Sequence, residues 1–384
     1  MESLLDSDQK RRYQEFKEFV AAQVEPFAER WDREQQHPAS IISALGQAGY
    51  LGSTVPVAYG GKGWDFVTFG LLNEAFGYGS SALTDLLTVQ AMVSMTLLKW
   101  GTDEQKKKWL PPLANGQTIA AFALTEPGTG SALQSLQTTF RGTEGRDHLI
   151  LNGTKQWISY GQLAQVFLVF GKLDEKFVAC LIQRESAGVE IEPIREMLGF
   201  RAAGLARIKF HEVEISSENV IGKAGFALSH IAPVGLQYGK ISTACSALGL
   251  LRGCFDASIS HAVTRKVGNQ SVGDIGMIRS LLARMGTDLE AARFLCHAAC
   301  RAEDQHLPEA FAKTLVAKYF TSTAAAKAAS NAVQIHGASG CHESARVARY
   351  YRDAKLMEIL EGTTQIHEHL LGRIFLDQAQ QIKS

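Results

Sequence analysis

The sequence predicts an α+β protein in which a helical segment, a strand-rich segment and a second helical segment follow one another. Three observations carry this reading. From about Ser7 apolar residues recur at helical spacing between charges. Near Ala120 the text turns to short β-branched and aromatic runs separated by Gly, Asn and Asp. From Gly225 onward long Ala- and Leu-rich stretches return, and no strand-like block follows them. The expected boundaries are 1–120, 121–224 and 225–384. A chain of 384 residues exceeds a typical single domain. No repeat or low-complexity linker separates the three parts, so they are expected to pack as one body.

The elements follow in order. "SDQKRRYQEFKEFVAAQVEPFAERWDRE" reads as helix, with Ser7 or Asp8 available to cap it. "PASIISALGQAGYLG" reads as a shorter helix stopped by glycines, and "VPVAYGGKGWD" as a turn-rich loop. The apolar stretch "FVTFGLLNEAFGYGSSALTDLLTVQAMVSMTLLKWG" suits one or two buried helices. Seven strand candidates come next: "TIAAFALT", "HLILNGTKQWIS", "QVFLVFGKL", "KFVACLIQ", "GVEIEPI", "ARIKFHEVEI" and "NVIGK".

Composition excludes several functions. Lys plus Arg and Asp plus Glu both number 39, giving zero net charge. No block of like charge marks a nucleic-acid or membrane surface, which favours a small-molecule or protein-borne substrate. The N-terminus is charged from its second residue and lacks the apolar core of a signal peptide, and no apolar stretch is read as approaching membrane-spanning length. A cytoplasmic protein is expected. The six cysteines form no C-x-x-C pair and read as buried thiols. Cys296 and Cys300 share a helix face, but His297 points elsewhere and no fourth ligand follows; no metal site is expected.

Three stretches invite chemistry. "FALTEPGTGSA" (122–132) is a loop of small and hydroxyl residues leaving a strand, able to present backbone N–H groups and the Thr125 and Ser131 hydroxyls to a heterocycle or phosphate, or to be a plain Pro-Gly turn. "KQWISYG" (155–161) sets Trp157 and Ser159 on one side of a strand, because alternate residues share a face. "LMEILEGTTQIHEHLLG" (356–372) places Glu361 between an apolar run and Gly-Thr-Thr. Glu361 there is either helix punctuation, solvated beside a cap supplied by Thr363 or Thr364, or a general base whose pKa an apolar pocket raises toward neutrality.

Together, "LTEPGTGS", "KQWIS", "GFRAAGLARIKFHEVEI", "QIHGASG" and "YYRDAKLMEILEGTTQI" on an α–β–α layout resemble the acyl-CoA dehydrogenase flavoprotein family. The resemblance spans the chain, including "PVAYGGKGWD" and "WGTDEQKKKWLPPLANG". It implies an N-terminal helical domain, a middle β-barrel or sandwich domain and a C-terminal four-helix bundle, with FAD between the last two. By the same resemblance Phe122, Leu124 and Thr125 line the isoalloxazine, Gly130 and Ser131 lie beside flavin and thioester, Trp157 packs on the flavin, and Ser159 stands near N5 where Thr is usual. Arg265, Gln334 and Gly337 match positions that reach the pyrophosphate or adenosine, partly across a subunit interface, and Thr363 and Gln365 match others. This implies a homodimer or homotetramer. Glu361 matches the base that removes the α proton of a thioester while hydride leaves the β carbon, with its own N–H polarising the carbonyl; Leu360 and Gly362 flank it against the substrate. Some relatives carry the base at the position aligned with Gly239, where this chain has none.

Departures from the family pattern concentrate at the adenine end. Ala132 stands where Asp is common, Val267-Gly268-Asn269 where Gln-Phe-Gly is usual, and Gly276 where Gln is usual. A differently held adenosine is expected there. "GFRAAGLARIKF" and "YYRDAKLMEILEGTT" are most similar, within the family, to dehydrogenases of polyketide and peptide assembly lines that act on carrier-protein thioesters to make hydroxymalonyl or aminomalonyl extender units. The expectation is oxidation of a short hydroxy- or oxo-acyl group on an acyl carrier protein. The alternative is α,β-desaturation of a short or branched acyl-CoA; in either case the reduced flavin is reoxidised by an electron-transfer flavoprotein or by O₂. A non-catalytic scaffold is disfavoured because Glu361, Thr125 and Trp157 are all present.

Overall fold

The computed structural model describes residues 4–143 and 147–381. Its N-terminal part is six helices: α1 (Ser7–Gln23), α2 (Ala28–Glu34), α3 (Ala39–Ala48), α4 (Phe66–Gly79), α5 (Ser81–Trp100) and α6 (Asp103–Ala114). The cap of α1 is Asp6, not Ser7 or Asp8: its carboxylate accepts from the Gln9 N–H at 2.8 Å while the Gln9 side chain accepts from the Asp6 N–H at 3.2 Å. The long helical run breaks between α1 and α2, where Pro26 has no N–H to continue the ladder. Gly49, at φ 77°, ends α3. Ser80 is extended, ending α4 and capping α5 through its hydroxyl. At 20 residues and mean hydropathy 1.3, α5 is long and apolar enough to cross a membrane, contrary to the expectation that no stretch approaches this; 89% of that window is buried inside the protein, as in a core helix.

Eight strands follow: β1 (Ala120–Ala123), β2 (Thr139–Gly142), β3 (His148–Ile158), β4 (Val166–Leu173), β5 (Lys176–Gln183), β6 (Val189–Pro193), β7 (Ala206–Ser216) and β8 (Val220–Ile221). They run β6-β7-β3-β2-β4-β5-β8, with β1 paired in parallel on β4. The first six residues of β4 are buried, which accounts for its unbroken apolar text. The longer β7 alternates buried and exposed positions as a one-faced strand does.

The C-terminal part begins with a π turn, Ala227–Ile231, leading into α7 (Ala232–Thr264). A hairpin, β9 (Lys266–Val267) and β10 (Gln270–Ser271), precedes α8 (Gly276–Asp304), α9 (Ala310–His336), α10 (Arg346–Met357) and α11 (Thr364–Gln381). The hairpin corrects the strand-free reading of this region; two-residue strands turning on Gly268, at φ 60°, are too short to show alternation. Helices α7, α8 and α9 pack together, α10 and α11 lie on α9, and α4 and α5 pack on α7 from the N-terminal part. The α4–α7 crossing is close. A Cβ at Gly77 would fall 2.1 Å from the Ser246 carbonyl, and one at Gly249 would fall 2.0 Å from the Glu74 carbonyl. One apolar core, including Phe76, Ile208 and Leu251, runs through all three parts, so they form one body. Five cysteines are buried thiols, but Cys341 is exposed.

Candidate active site

Glu361 sits in the turn between α10 and α11; the cap at Thr363 is present, but Glu361 is not solvated beside it. Thr363 Oγ1 accepts from the Ile366 N–H at 3.3 Å, capping α11, while the Thr364 N–H donates to the Glu358 carbonyl at 2.9 Å. Glu361 itself is left-handed, φ 55°, a region non-glycine residues enter at a cost that surrounding structure must hold. Lys318 supplies part of that hold: from α9 its buried Nζ donates to the Gly362 carbonyl at 2.6 Å.

The carboxylate is turned inward. Its Oε2 is buried with no hydrogen-bond partner among the described residues. It lies against the bare backbone of α7, so that a Cβ at Gly239 would come within 2.2 Å of Oε2. Gly239, the position at which the resemblance leads one to expect a base in some relatives, thus meets Glu361 in space. Burial pushes the Glu361 carboxyl up to about 7, partly offset by Lys240 and Lys318 and reinforced by the negative charge of Asp85. Neither lysine forms an ion pair with it: Lys240 Nζ donates to the Leu236 carbonyl at 3.1 Å, and burial draws Lys318 down to about 8. His367, on the next turn, is driven down to about 4 by burial and by Lys318, and is neutral, its Nδ1–H donating to the Thr363 carbonyl at 3.0 Å. Asp85, from α5, is raised to about 6 by burial, with the Ser159 hydroxyl beside it.

The loop after β1 hangs on a buried ion pair. Lys155 Nζ meets Glu126 Oε1 at 2.7 Å and also donates to the Leu124 carbonyl at 3.1 Å, and the Glu126 carboxylate accepts from the Gln137 and Thr138 N–H groups. Burial opposes the charge on Glu126, yet Lys155 and these donors hold its carboxyl below the usual range. The face-sharing argument for Trp157 and Ser159 fails. The register between β3 and β7 shifts between Lys155 and Ile158, and Trp157, at φ 61°, leaves the pleat with 49% of its surface exposed. Three residues on, buried Tyr160 donates to the Ala82 carbonyl at 2.8 Å, tying this strand end to the start of α5 and so holding Ser159 near Asp85.

Other expected residues divide by place. Leu124 is buried and Phe122 turns its ring onto Phe170, centroids 4.9 Å apart, whereas Thr125 is half-buried and Gly130 and Ser131 are exposed. Leu360, Gly362 and Thr363 are half-buried around Glu361, and Gln365 is exposed. Arg265, Gln334 and Gly337 are exposed at the other end of the bundle, where the His261 and His336 rings lie 4.2 Å apart. Gln334 is about 24 Å along α9 from Lys318, at 1.5 Å per residue, so the chain does not bring these three to Glu361. Lys155, Glu126 and Asp85 escaped the sequence reading. Their signal was a charge inside an otherwise apolar strand, loop or helix.

These surfaces fit a flat cofactor. The N–H groups of Thr125, Gly130 and Ser131 donate to nothing among the described residues, a Cβ at Gly128 or Gly130 would meet nothing within 4 Å, and the exposed Trp157 indole stands at the end of the neighbouring strand. The Glu361 N–H likewise donates to nothing among the described residues.

Comparisons with known proteins agree. The chain matches the acyl-CoA dehydrogenase N-terminal domain over residues 6–117, the middle domain over 121–213 and the C-terminal domain over 229–376. It is 31% identical to a glutaryl-CoA dehydrogenase of Desulfococcus multivorans, across 95% of this chain and 94% of that one. It is 32% identical to the short-chain specific acyl-CoA dehydrogenase of rat mitochondria, across 93% and 87%. Among solved structures, an acyl-CoA dehydrogenase of Bacillus anthracis complexed with FAD superposes with a TM-score of 0.93 at 27% identity, over 99% of this chain and 68% of that one. FkbI, for biosynthesis of the methoxymalonyl extender unit of the polyketide FK520, superposes with a TM-score of 0.86 at 28% identity, over 95% and 99%.

Proposed function

This chain belongs to the acyl-CoA dehydrogenase family, and we propose that it desaturates a short acyl-CoA between its α and β carbons with Glu361 as the base. It is an FAD-dependent oxidoreductase acting on acyl thioesters. The observation that carries the reading is the buried, unpaired carboxylate of Glu361 against Gly239. Bound FAD supplies the two-electron acceptor for the hydride leaving the β carbon. The protein does the rest: Glu361 takes the α proton, its free N–H donates to the thioester carbonyl oxygen as negative charge gathers there, and the neutral His367 and the Lys318 bond to Gly362 hold the turn in place. The 32% identity to a short-chain specific enzyme supports a short acyl group.

The pH dependence tests the base. Only ionised Glu361 accepts a proton, and its pKa is raised to about 7. The rate of flavin bleaching by substrate in stopped flow is therefore expected to fall tenfold per pH unit below about 7 and to level off above it. A profile flat from pH 5 to 8 would exclude Glu361 as the titrating base.

A second reading, oxidation of a hydroxy- or oxo-acyl group on an acyl carrier protein, is supported by the similarity to FkbI. In that case the same acyl group bleaches the flavin faster from its carrier protein than from CoA, and the preference shrinks with salt as charge pairs at the docking surface are screened. Equal rates, or a CoA preference, decide for the first reading. A homo-oligomer is proposed on the exposure of Arg265, Gln334 and Gly337 far from Glu361, and an electron-transfer flavoprotein as the reoxidant.

A further inference from the structure

We propose that the buried pair Cys245 and Cys300 is a peroxide-reactive dithiol, oxidised to a disulfide by hydrogen peroxide admitted to the cavity beside it. The inference stands apart from the dehydrogenase reading, which uses none of these thiols. Cys245 on α7 and Cys300 on α8 bring their sulfurs to 4.0 Å. Both flank the bare backbone of Gly70 on α4, where a Cβ would come within 2.9 Å of the Cys300 sulfur and 3.1 Å of the Cys245 sulfur. Cys296, one turn before Cys300, lies 3.5 Å from Thr321 Oγ1 on α9.

The cavity gives the pair a reactant. It has a volume of about 20 Å³ and its lining includes Gly70, Glu74, Cys245, Arg293, Cys296 and Cys300. That is room for one molecule of the size of water. One polar group of the lining lacks a partner: Arg293 Nε is buried and bonded to nothing among the described residues, although the same guanidinium reaches Glu290 at 2.6 Å and Glu74 at 3.9 Å. A small molecule that accepts from this N–H satisfies it. Arg293 also keeps 15% of its side chain exposed, so entry lies past a single side chain. Hydrogen peroxide is little larger than water, accepts hydrogen bonds and oxidises thiols.

The hydrogen bond between the sulfurs assigns the roles. Bonds to Cys296 and Cys300, with burial, hold the Cys245 thiol well above its usual range, so Cys245 keeps its proton. The bond from Cys245 favours the thiolate at Cys300, but burial and Cys296 leave that thiol raised as well, and the reaction is accordingly slow. The Cys300 thiolate attacks one peroxide oxygen. The O–O bond breaks, the sulfur becomes a sulfenic acid, and the departing hydroxide takes up the proton that Cys300 gave away. The Cys245 sulfur then attacks the Cys300 sulfur and expels hydroxide, which leaves as water with the Cys245 proton. Two thiols lose two electrons, and one peroxide is reduced to two waters. The new bond closes a span of 55 residues and ties α7, whose Gly239 lies against Glu361, to α8.

The test treats the purified wild-type protein with hydrogen peroxide, and separately with glutathione disulfide, then alkylates it in denaturant and digests it with trypsin without reduction. Peroxide is expected to join peptide 241–252, which holds Cys245, to peptide 294–301, which holds Cys296 and Cys300, and dithiothreitol to part them. Glutathione disulfide is too large for the cavity and should give no link, while modifying the exposed Cys341 as the internal sign that it reacts. Cys300→Ser should lose the link and Cys296→Ser keep it. Three results each overturn the inference. One is peroxide that oxidises Cys341 and forms no link. Another is a link that forms as fast with glutathione disulfide, since the thiols are then reached by opening of the fold and not through the cavity. The third is a link that survives Cys300→Ser. The first two are read on the wild-type chain and need no variant to fold.

Discussion

Glu361→Gln is expected to purify folded and yellow, and to lose at least about 10³-fold of its substrate-dependent bleaching rate, within the range that removing a positioned general base costs. Gln matches Glu in shape, so the turn, the Lys318 bond to Gly362 and the contact with Gly239 persist. It cannot accept the proton, and the loss therefore falls on the chemical step and not on binding. The residual rate should also lose its dependence on pH near 7. Two nearby carboxylates serve as controls. Glu343 pairs with Arg201 at 3.0 Å and Glu358 with Lys355 at 3.0 Å, both near the surface, where such pairs are worth at most about 1 kcal/mol. Their Gln variants should bleach at close to the wild-type rate. Near-normal bleaching in Glu361→Gln would remove Glu361 from the mechanism.

Part of this site is legible in the sequence, because it is local. The cap at Thr363, the glycine after Glu361 and the loop of small residues after β1 are each visible in a few consecutive letters. What made Glu361 a candidate base in space was not. Its carboxylate is framed by Gly239 on α7, Lys318 on α9 and Asp85 on α5, and nothing in periodicity says that these helices meet there. The same limit explains Trp157. Alternation assumed a regular strand, and the register shift with β7 that turns the indole outward depends on the partner strand, not on "KQWIS" itself. The start of α1 shows a smaller version: Ser7, Asp8 and Asp6 all suit a cap by type, and only the reciprocal bonds with Gln9 choose Asp6. The hairpin after α7 was invisible because two residues per strand carry no period.

The Lys155–Glu126 pair carries the largest stability effect. Its side chains are 0% and 3% exposed, and it joins β3 to the loop that the cofactor must lie against. Lys155→Met fills similar volume but leaves the Glu126 carboxylate buried with only the Gln137 and Thr138 N–H groups, and frees the Leu124 carbonyl. Breaking a buried pair by removing one partner costs about 3–5 kcal/mol, because an uncompensated charge stays inside. The variant is therefore expected to melt well below wild type and to lose FAD on gel filtration, both readable without substrate. Glu126→Gln/Lys155→Met removes the stranded charge and should recover a large part of the melting temperature. FAD retention should recover less, because the Leu124 carbonyl still has no donor and the loop from Thr125 to Ser131 is no longer drawn onto β3. If Lys155→Met melts with wild type and keeps its flavin, the pair does not hold the loop. If the double variant is as unstable as the single one, lost packing around Lys155, and not the buried charge of Glu126, sets the cost.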